Sequence, residues 1–169
     1  MDTDKLYNPA HLKQLAKSAH ADSKKFVKKL KAKKPKHLDA LFNDLHNKTF
    51  ETIDCLKCAN CCKGLGPRVT DKDIERLSKY LRLKPVNFIN QYLRIDEDND
   101  YVFREMPCPF LAPDNYCIVY ESRPKACRDY PHTNHKKMIK HLNLALKNSE
   151  ICPAVYIILE DLKAMPDIR

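Results

Sequence analysis

Apolar residues recur at helical spacing over most of the chain and predict a mainly α-helical protein. The first stripe follows Asn8-Pro9, a pair typical of a helix N-cap with proline at the first helical position. We expect one long helix that continues to about Lys34 and ends before Pro35. Its apolar positions are Leu12, Leu15, Ala19, Phe26 and Leu30.

A second stripe predicts another helix, which continues directly into Cys55. Together the two helices predict a basic helical hairpin over residues 1–50, followed by a compact domain over residues 51–169 that carries the cysteines. The apolar positions of the second stripe are Leu38, Leu41, Phe42, Leu45, Phe50 and Ile53.

Further helices are predicted downstream by their start signals. Thr70-Asp-Lys-Asp73 is typical of a capping box, and Pro85 is typical of a first helical position. We also expect a short capped helical turn that begins at Ser122, and two closing helices near residues 134–147 and 150–164.

Alternating apolar residues, which would indicate strands, are scarce. Tyr101-Val-Phe103 and Cys117-Ile-Val-Tyr120 are the two short segments that we expect to pair as a hairpin. The predicted fold is therefore a mainly α, compact helical metal-binding domain with an N-terminal helical hairpin and at most one short β-hairpin.

The composition is that of a soluble globular protein, with 43% hydrophobic and 31% charged residues in a chain of 169. The first residues are polar and lead into no apolar segment, so no signal peptide is expected. The longest apolar run, from Ala154 to Leu159, is too short to cross a bilayer. We therefore expect a cytoplasmic protein that has no membrane partner.

The net charge of +9 is concentrated in a lysine-rich segment, where eight of the thirteen residues from Lys24 to Lys36 are lysine. Two interpretations stay open: a solvated polar face of an amphipathic helix, which we favour, and a nucleic-acid-binding surface. No arginine precedes Arg68, and arginine is the usual residue for bidentate recognition of phosphates and bases.

The eight cysteines all follow residue 54, and four of them lie in the run Cys55-Leu-Lys-Cys58-Ala-Asn-Cys61-Cys62. In a reducing compartment such clustered cysteines are metal ligands more often than disulfide partners. The two glycines of the chain, Gly64 and Gly66, follow directly and predict a tight turn around a bound group. The remaining candidate ligands are Cys108, Cys117, Cys127 and Cys152.

The spacing of the first three cysteines resembles the [4Fe–4S] run of bacterial ferredoxins, in which a remote fourth ligand precedes a proline. Cys108 and Cys152 both precede proline. A zinc site, which usually combines one Cys-x2-Cys pair with two distant ligands, is the alternative. We expect Cys55, Cys58 and Cys61 to share one centre, but the number of centres and the choice between an iron–sulfur cluster and Zn²⁺ stay open.

Cys62 is harder to place in the same centre. In one regular helix its sulfur would lie about 10 Å along the axis from that of Cys55, too far for one ion. Either a helix through the cysteine run is broken, or Cys61 and Cys62 serve different centres. We expect Cys62 either to form a second centre with downstream cysteines or to lie outside the set of direct metal ligands.

Taken together, these motifs resemble the CxxCxxCC (YkgJ-type) family of zinc- or iron-chelating domains over roughly residues 50–160. The resemblance implies a metal-binding domain in which every cysteine of the pattern is present. The matching stretches are Cys55–Cys62, Thr70–Ile74, Cys108–Leu111, Cys117–Tyr120, Arg123-Pro124, Cys127-Arg128 and Tyr130-Pro131.

The favoured function is therefore a metal-binding protein in electron transfer or a structural role, with an unidentified protein or redox partner. A similar domain in a flagellin lysine methylase keeps a metal-dependent protein-modifying enzyme as an alternative. A zinc-stabilised nucleic-acid-binding protein is the less favoured hypothesis. The sequence contains no phosphate-binding loop, nucleophile elbow or His-Glu-x-x-His motif, so enzymatic activity is left open. His132 and His135 are less favoured ligands than the cysteines.

Overall fold

A computed structural model of the protein describes residues 3–168, except for the side chain of Asp167. The first two residues of the predicted hairpin and the last residue of the predicted domain lie outside this range. The chain forms two compact units, one made of Met1–Cys58 with Pro131–Arg169 and the other of Ala59–Tyr130.

The first unit is helical. Its elements are α1 (Thr3–Leu6), α2 (Pro9–Lys33), α3 (Leu38–Phe50), α4 (Cys55–Cys58), α9 (Leu142–Asn148) and α10 (Pro153–Ala164), with 3-10 turns at Met138–Lys140 and Pro166–Ile168. The predicted helix at 134–147 is therefore shorter and interrupted, while the predicted closing helix at 150–164 is confirmed as α10.

The ends of α2 follow the sequence signals. The side chain of Asn8 accepts hydrogen bonds from the backbone N–H groups of Ala10 and His11, at 3.0 and 3.1 Å. These bonds satisfy two of the N–H groups that a helix start leaves without an intrahelical partner. At the other end Lys34 adopts a left-handed conformation and its N–H bonds to the carbonyl of Leu30. The predicted helix from Pro9 is thus confirmed.

The core of this unit joins the N-terminal helices to the C-terminal ones. Phe42 and Leu45 of α3 belong to the same buried cluster as Leu142 of α9 and Ile158 and Leu162 of α10. Burial of such side chains stabilises a fold by about 2 kcal/mol each. The division into a hairpin over 1–50 and a domain over 51–169 stays a prediction, while the packing groups α2 and α3 with α9 and α10.

The helix α3 does not continue into the cysteines, so that prediction was wrong. It ends at Phe50, and the N–H of Ile53 and the hydroxyl of Thr52 both bond to the carbonyl of Thr49. The carbonyls at the helix end are thus satisfied by a local turn instead of another helical turn. A new short helix, α4, begins at Cys55, where Asp54 accepts a hydrogen bond from the N–H of Leu56.

The second unit combines short helices with a small sheet. Its elements are α5 (Asn60–Gly64), α6 (Asp71–Leu81), α7 (Pro85–Tyr92), β1 (Leu93–Ile95), β2 (Tyr101–Phe103) and α8 (Lys125–Asp129), with a 3-10 turn at Tyr120–Ser122. The core is built around Phe110, whose ring lies 5.0 Å from that of Tyr92 and 5.6 Å from that of Phe103. The predicted starts of α6 and α7 are both confirmed.

The sheet has a different partner strand from the one predicted. β2 pairs antiparallel with β1, with Leu93 opposite Phe103, and not with residues 117–120. The segment 96–100 closes this hairpin, because Asp96 accepts bonds from the N–H groups of Asp98 and Asp100. A short loop closes at lower entropic cost than one that reaches residue 117.

Two smaller differences also concern this region. Cys117 forms an isolated bridge with Leu111, which closes a separate loop. The helical turn α8 begins at Lys125 after Pro124, whereas Ser122 ends the preceding 3-10 turn, so Ser122 is not its cap.

The predicted fold class is nevertheless confirmed: the described residues are mainly helical, with one short hairpin. Across residues 3–168, no helix has the combined length and apolar character needed to cross a membrane.

Replacing Phe42 by Ala should lower the free energy of unfolding by about 3–5 kcal/mol, because this side chain is fully buried (0% exposed) and leaves a cavity. Chemical denaturation of both proteins in the same metal state measures the difference. Leu144→Ala, at a position that is 36% exposed, is the control and should cost under about 1 kcal/mol. Equal losses in the two variants would contradict this description of the core.

Candidate metal centre

The cysteine run folds as two short helices and not as one. Ala59, between α4 and α5, has a φ of 50°, in the left-handed region. A residue other than glycine adopts this conformation at a cost of about 1 kcal/mol. The helix through the cysteine run is therefore broken, and the assignment of Cys61 and Cys62 to one centre or to two stays a prediction. No sequence signal marked Ala59, because alanine is among the best helix formers.

Neither glycine is required by the backbone or by contacts within the protein. Neither Gly64 nor Gly66 has a positive φ. A Cβ added at Gly64 would meet no atom within 4 Å, and one added at Gly66 would lie 4.0 Å from the Cβ of Val102. The turn around a bound group stays a prediction from the sequence.

Three of the predicted ligands lie in the first unit. Cys55 begins α4 and is exposed, Cys58 ends it and is buried, and Cys152 is the residue before Pro153 at the start of α10. Burial is the main cause that raises the pKa of the Cys152 thiol to about 12, and negative charge on Cys55 and Cys58 contributes to the rise. The backbone N–H groups at the start of α10 act in the opposite direction. Of the two cysteines that precede proline, Cys152 is thus the electrostatic neighbour of Cys55 and Cys58.

Four other predicted ligands form a group in the second unit, although they come from four separate segments. The N–H of Cys108 bonds to the carbonyl of Cys62 at 2.8 Å. Burial is the main cause that raises the pKa of Cys108 to about 11 and that of Cys127 to about 12. Negative charge on Cys62 and Cys117 contributes to both shifts, so the four thiols share one electrostatic neighbourhood.

Cys61 and Cys62 differ from the other thiols of this unit. Their Sγ atoms lie 3.9 Å apart. The hydrogen bond with Cys61 lowers the pKa of Cys62 to about 7, against the effect of burial, and the charge of Lys63 also lowers it. Cys62 is therefore poised to supply a thiolate near neutral pH.

The thiols of each group lie near one another, but their sulfur atoms do not surround a single point. Within the range 3–168, no three His, Cys, Asp or Glu side chains converge closely enough to hold an ion as they stand. Metal binding would therefore require the sulfurs to close in on the ion. The donors are all thiols, which suits Zn²⁺ and iron–sulfur clusters.

A buried carboxylate positions the segment that leads to Cys127. Asp73 is the N3 residue of the capping box with Thr70, and it also accepts bonds from Arg76 and from the N–H of Lys125 at 3.0 Å. Arg76 in turn donates to the carbonyls of Ser122 and Arg123, at 3.3 and 2.9 Å. The capping box was predicted, but its second role depends on a partner about 50 residues away that no local pattern reveals.

Two arginines beside the second group also have structural partners. Arg123 lies 3.7 Å above the ring of Tyr120 and donates to its carbonyl, and Arg128 donates to the carbonyl of Arg123. The positive charge of Arg123 lowers the pKa of Cys117 and Cys127, although burial outweighs it. Arg123 therefore favours thiolate at both positions.

The less favoured histidine ligands lie in the first unit. The Nδ1 of His132 lies 3.1 Å from the Nε2 of His135, and both rings stack with that of His141. The planes of His132 and His141 are within 5° of parallel, so their in-plane lone pairs do not converge on one point.

Comparisons with known proteins agree with the cysteine pattern. The CxxCxxCC family model, described as "Putative zinc- or iron-chelating domain", matches residues 54–153, which include all eight cysteines. The uncharacterised protein MJ0661 of Methanocaldococcus jannaschii is 32% identical over 84 residues, 47% of this chain and 44% of that protein. The chain thus matches less than half of this relative's length. No solved structure matches the chain with significance.

Replacing Asp73 by Asn should lower the free energy of unfolding by roughly 3 kcal/mol near neutral pH, because the charge that holds Arg76 is lost from a buried site. Burial acts to raise the pKa of Asp73, but the bonds from Thr70, Arg76 and Lys125 outweigh it and lower the pKa. A lowered folded-state pKa gives stability above the unfolded value of about 3.9, which is lost as the pH falls through the folded value. The difference from wild type should therefore shrink below about pH 4.

Thermal unfolding of both proteins across this pH range measures the effect. Asp71→Asn is the matched control, because Asp71 is an exposed carboxylate in the same helical turn. It should have a small effect. A difference between wild type and Asp73→Asn that grows as the pH falls would contradict the role assigned to this carboxylate.

Proposed function

Because the chain belongs to the CxxCxxCC family of zinc- or iron-chelating domains, we propose that its eight cysteines hold metal in two sulfur-ligated centres. One centre uses Cys62, Cys108, Cys117 and Cys127. The other uses Cys55, Cys58 and Cys152. The sequence spacing alone also predicts Cys61 as a ligand of a metal.

The group in the second unit carries the proposal. Its four thiols come from segments that span residues 62–127, and three of them have a pKa raised chiefly by burial. Bringing such thiols together without a cation leaves them protonated, whereas a bound dication compensates the thiolates. A four-sulfur donor set is also the usual complement of a structural zinc ion or an iron–sulfur cluster.

The identity of the metal is the finer part of the proposal. We favour an iron–sulfur cluster in at least the centre of Cys55 and Cys58, since three cysteines at successive x2 spacing followed by a remote cysteine before proline are the ferredoxin pattern. The neighbourhood of Cys152 to Cys55 and Cys58 supports this choice. When bound, a cluster would supply one-electron transfer and zinc would supply structural stability.

Residues outside the ligand set position the cysteines and favour their ionised form. Asp73 and Arg76 hold the segment before Cys127. The positive charges of Lys63 and Arg123 favour thiolate at Cys62 and at Cys117, respectively. We propose that these residues serve an electron-transfer or structural role with a protein partner in the cytoplasm, where thiols stay reduced.

Serine substitutions test the proposal. Cys127→Ser should remove the metal of the second-unit centre and leave that of the other, and Cys152→Ser should do the reverse. Each variant should also melt at least several degrees lower, because metal ligation contributes folding free energy. Elemental analysis and visible spectra of protein purified without oxygen measure metal content, and a brown, iron-containing protein supports a cluster over zinc.

Ala126→Ser is the matched control, since it adds the same hydroxyl group one residue from Cys127 in α8. It should keep the full metal content. Full metal content and stability in both cysteine variants would refute the proposal. Loss of all metal from either single variant would refute the division into two centres, and Cys61→Ser tests the predicted ligand role of Cys61.

A further inference from the structure

One face of α2 carries a row of lysines that the metal centres do not use. We define the lysine stripe as Lys13, Lys17, Lys24 and Lys28, all of which are exposed. At 3.6 residues per turn these positions lie within an arc of about 60° and extend over about 22 Å of helix. The stripe lies outside residues 54–153, so it is separate from the part that matches the chelating family.

The charge of the stripe is not compensated within the described chain. In the range 3–168, no carboxylate oxygen lies within 4.0 Å of any of its four ammonium groups. At the edge of the stripe, Glu150 lies 3.9 Å from the ring of His20. The four lysines of the stripe therefore have no ion-pair partner in the described chain, although Glu150 lies beside His20, between Lys17 and Lys24.

Acids are placed on another side of the same helix. Asp22, the one acidic residue of α2, lies with Lys25, Lys29 and Glu160 around a surface depression. There, Lys163 pairs with Glu160 at 2.7 Å and approaches Asp22 at 3.9 Å. Lys25 and Lys29 thus share the depression with two acidic residues, whereas the stripe has Glu150 at its edge.

The surroundings of the stripe limit the kinds of anionic partner. A helix that inserts into a membrane surface needs an exposed apolar face, but the apolar residues Leu12, Val27 and Leu30 of α2 are buried in the protein. Single-stranded nucleic acids are held largely by stacking on aromatic side chains, and the stripe has none. Two pairs of lysines on one helix face can instead contact phosphates at separate points along a duplex, which carries about one phosphate per 1.7 Å of axis.

We propose that the lysine stripe is a docking surface for the phosphate backbone of duplex DNA. Lysines that contact phosphates supply affinity and orientation without reading the bases. Four such contacts should make the logarithm of the binding constant fall with the logarithm of salt concentration with a slope of about −3.6. Binding should be independent of base sequence, with a dissociation constant of about 10⁻⁴–10⁻⁶ M at physiological salt.

Fluorescence anisotropy of the metal-loaded full chain with labelled duplexes of unrelated sequence, between about 50 and 200 mM salt, tests the proposal. The variant Lys24→Gln/Lys28→Gln should bind more weakly and lose about 1.8 from the slope. The matched control Lys25→Gln/Lys29→Gln removes the same charge from the same helix, one position away. It should keep the slope within about 0.5 of wild type. Circular dichroism of both variants confirms that α2 is intact.

Several outcomes would overturn the proposal. Equal loss of affinity in the two variants would show general attraction by net charge and not a defined surface. The same conclusion follows if no duplex binding is detectable at low salt. Tighter binding to phosphatidylserine vesicles, to single strands or to duplex RNA would assign the stripe to a different partner. A strong preference for one DNA sequence would contradict recognition through the backbone alone.

Discussion

The cost of holding buried thiolates side by side is the constraint on which both cysteine groups depend. Burial is the main cause that raises the pKa of Cys108, Cys127 and Cys152 to about 11–12, and the charge of neighbouring thiolates contributes to these values. A metal dication reverses this penalty, because it compensates the negative charges at short range. Folding and metal binding are therefore coupled in such a site: the fold gathers the sulfurs, and the metal makes their ionised form favourable.

Polar contacts outside the sulfurs hold the segments of the proposed ligands close to one another. The backbone bond between Cys108 and Cys62 joins two of these segments directly. Asp73 and Arg76 connect α6 to the turn before α8, which carries Cys127. These contacts lower the entropy that metal binding must remove, since the segments are already ordered. The second unit thus acts as a scaffold for its sulfurs.

Local chemistry made much of the fold predictable. Asn8 and Thr70 marked helix starts correctly, because a cap depends on residues only a few positions apart. The pairing of β1 with β2 and the left-handed Ala59 were not predictable in this way. The strand pairing depends on the loop 96–100, which the strand pattern alone does not identify, and the conformation of Ala59 runs against the helix preference of alanine. The spacing identified the candidate ligands, but their grouping by unit required the folded chain.

X-ray absorption spectroscopy of the purified protein, at the edge of whichever metal it contains, tests the central claim most directly. We predict a shell of four sulfur atoms at about 2.3 Å around the metal, without nitrogen or oxygen ligands. A shell that contains histidine nitrogen or carboxylate oxygen in place of sulfur would contradict it. Such a shell would mean that the gathered cysteines are not the complete ligand sets of the two centres.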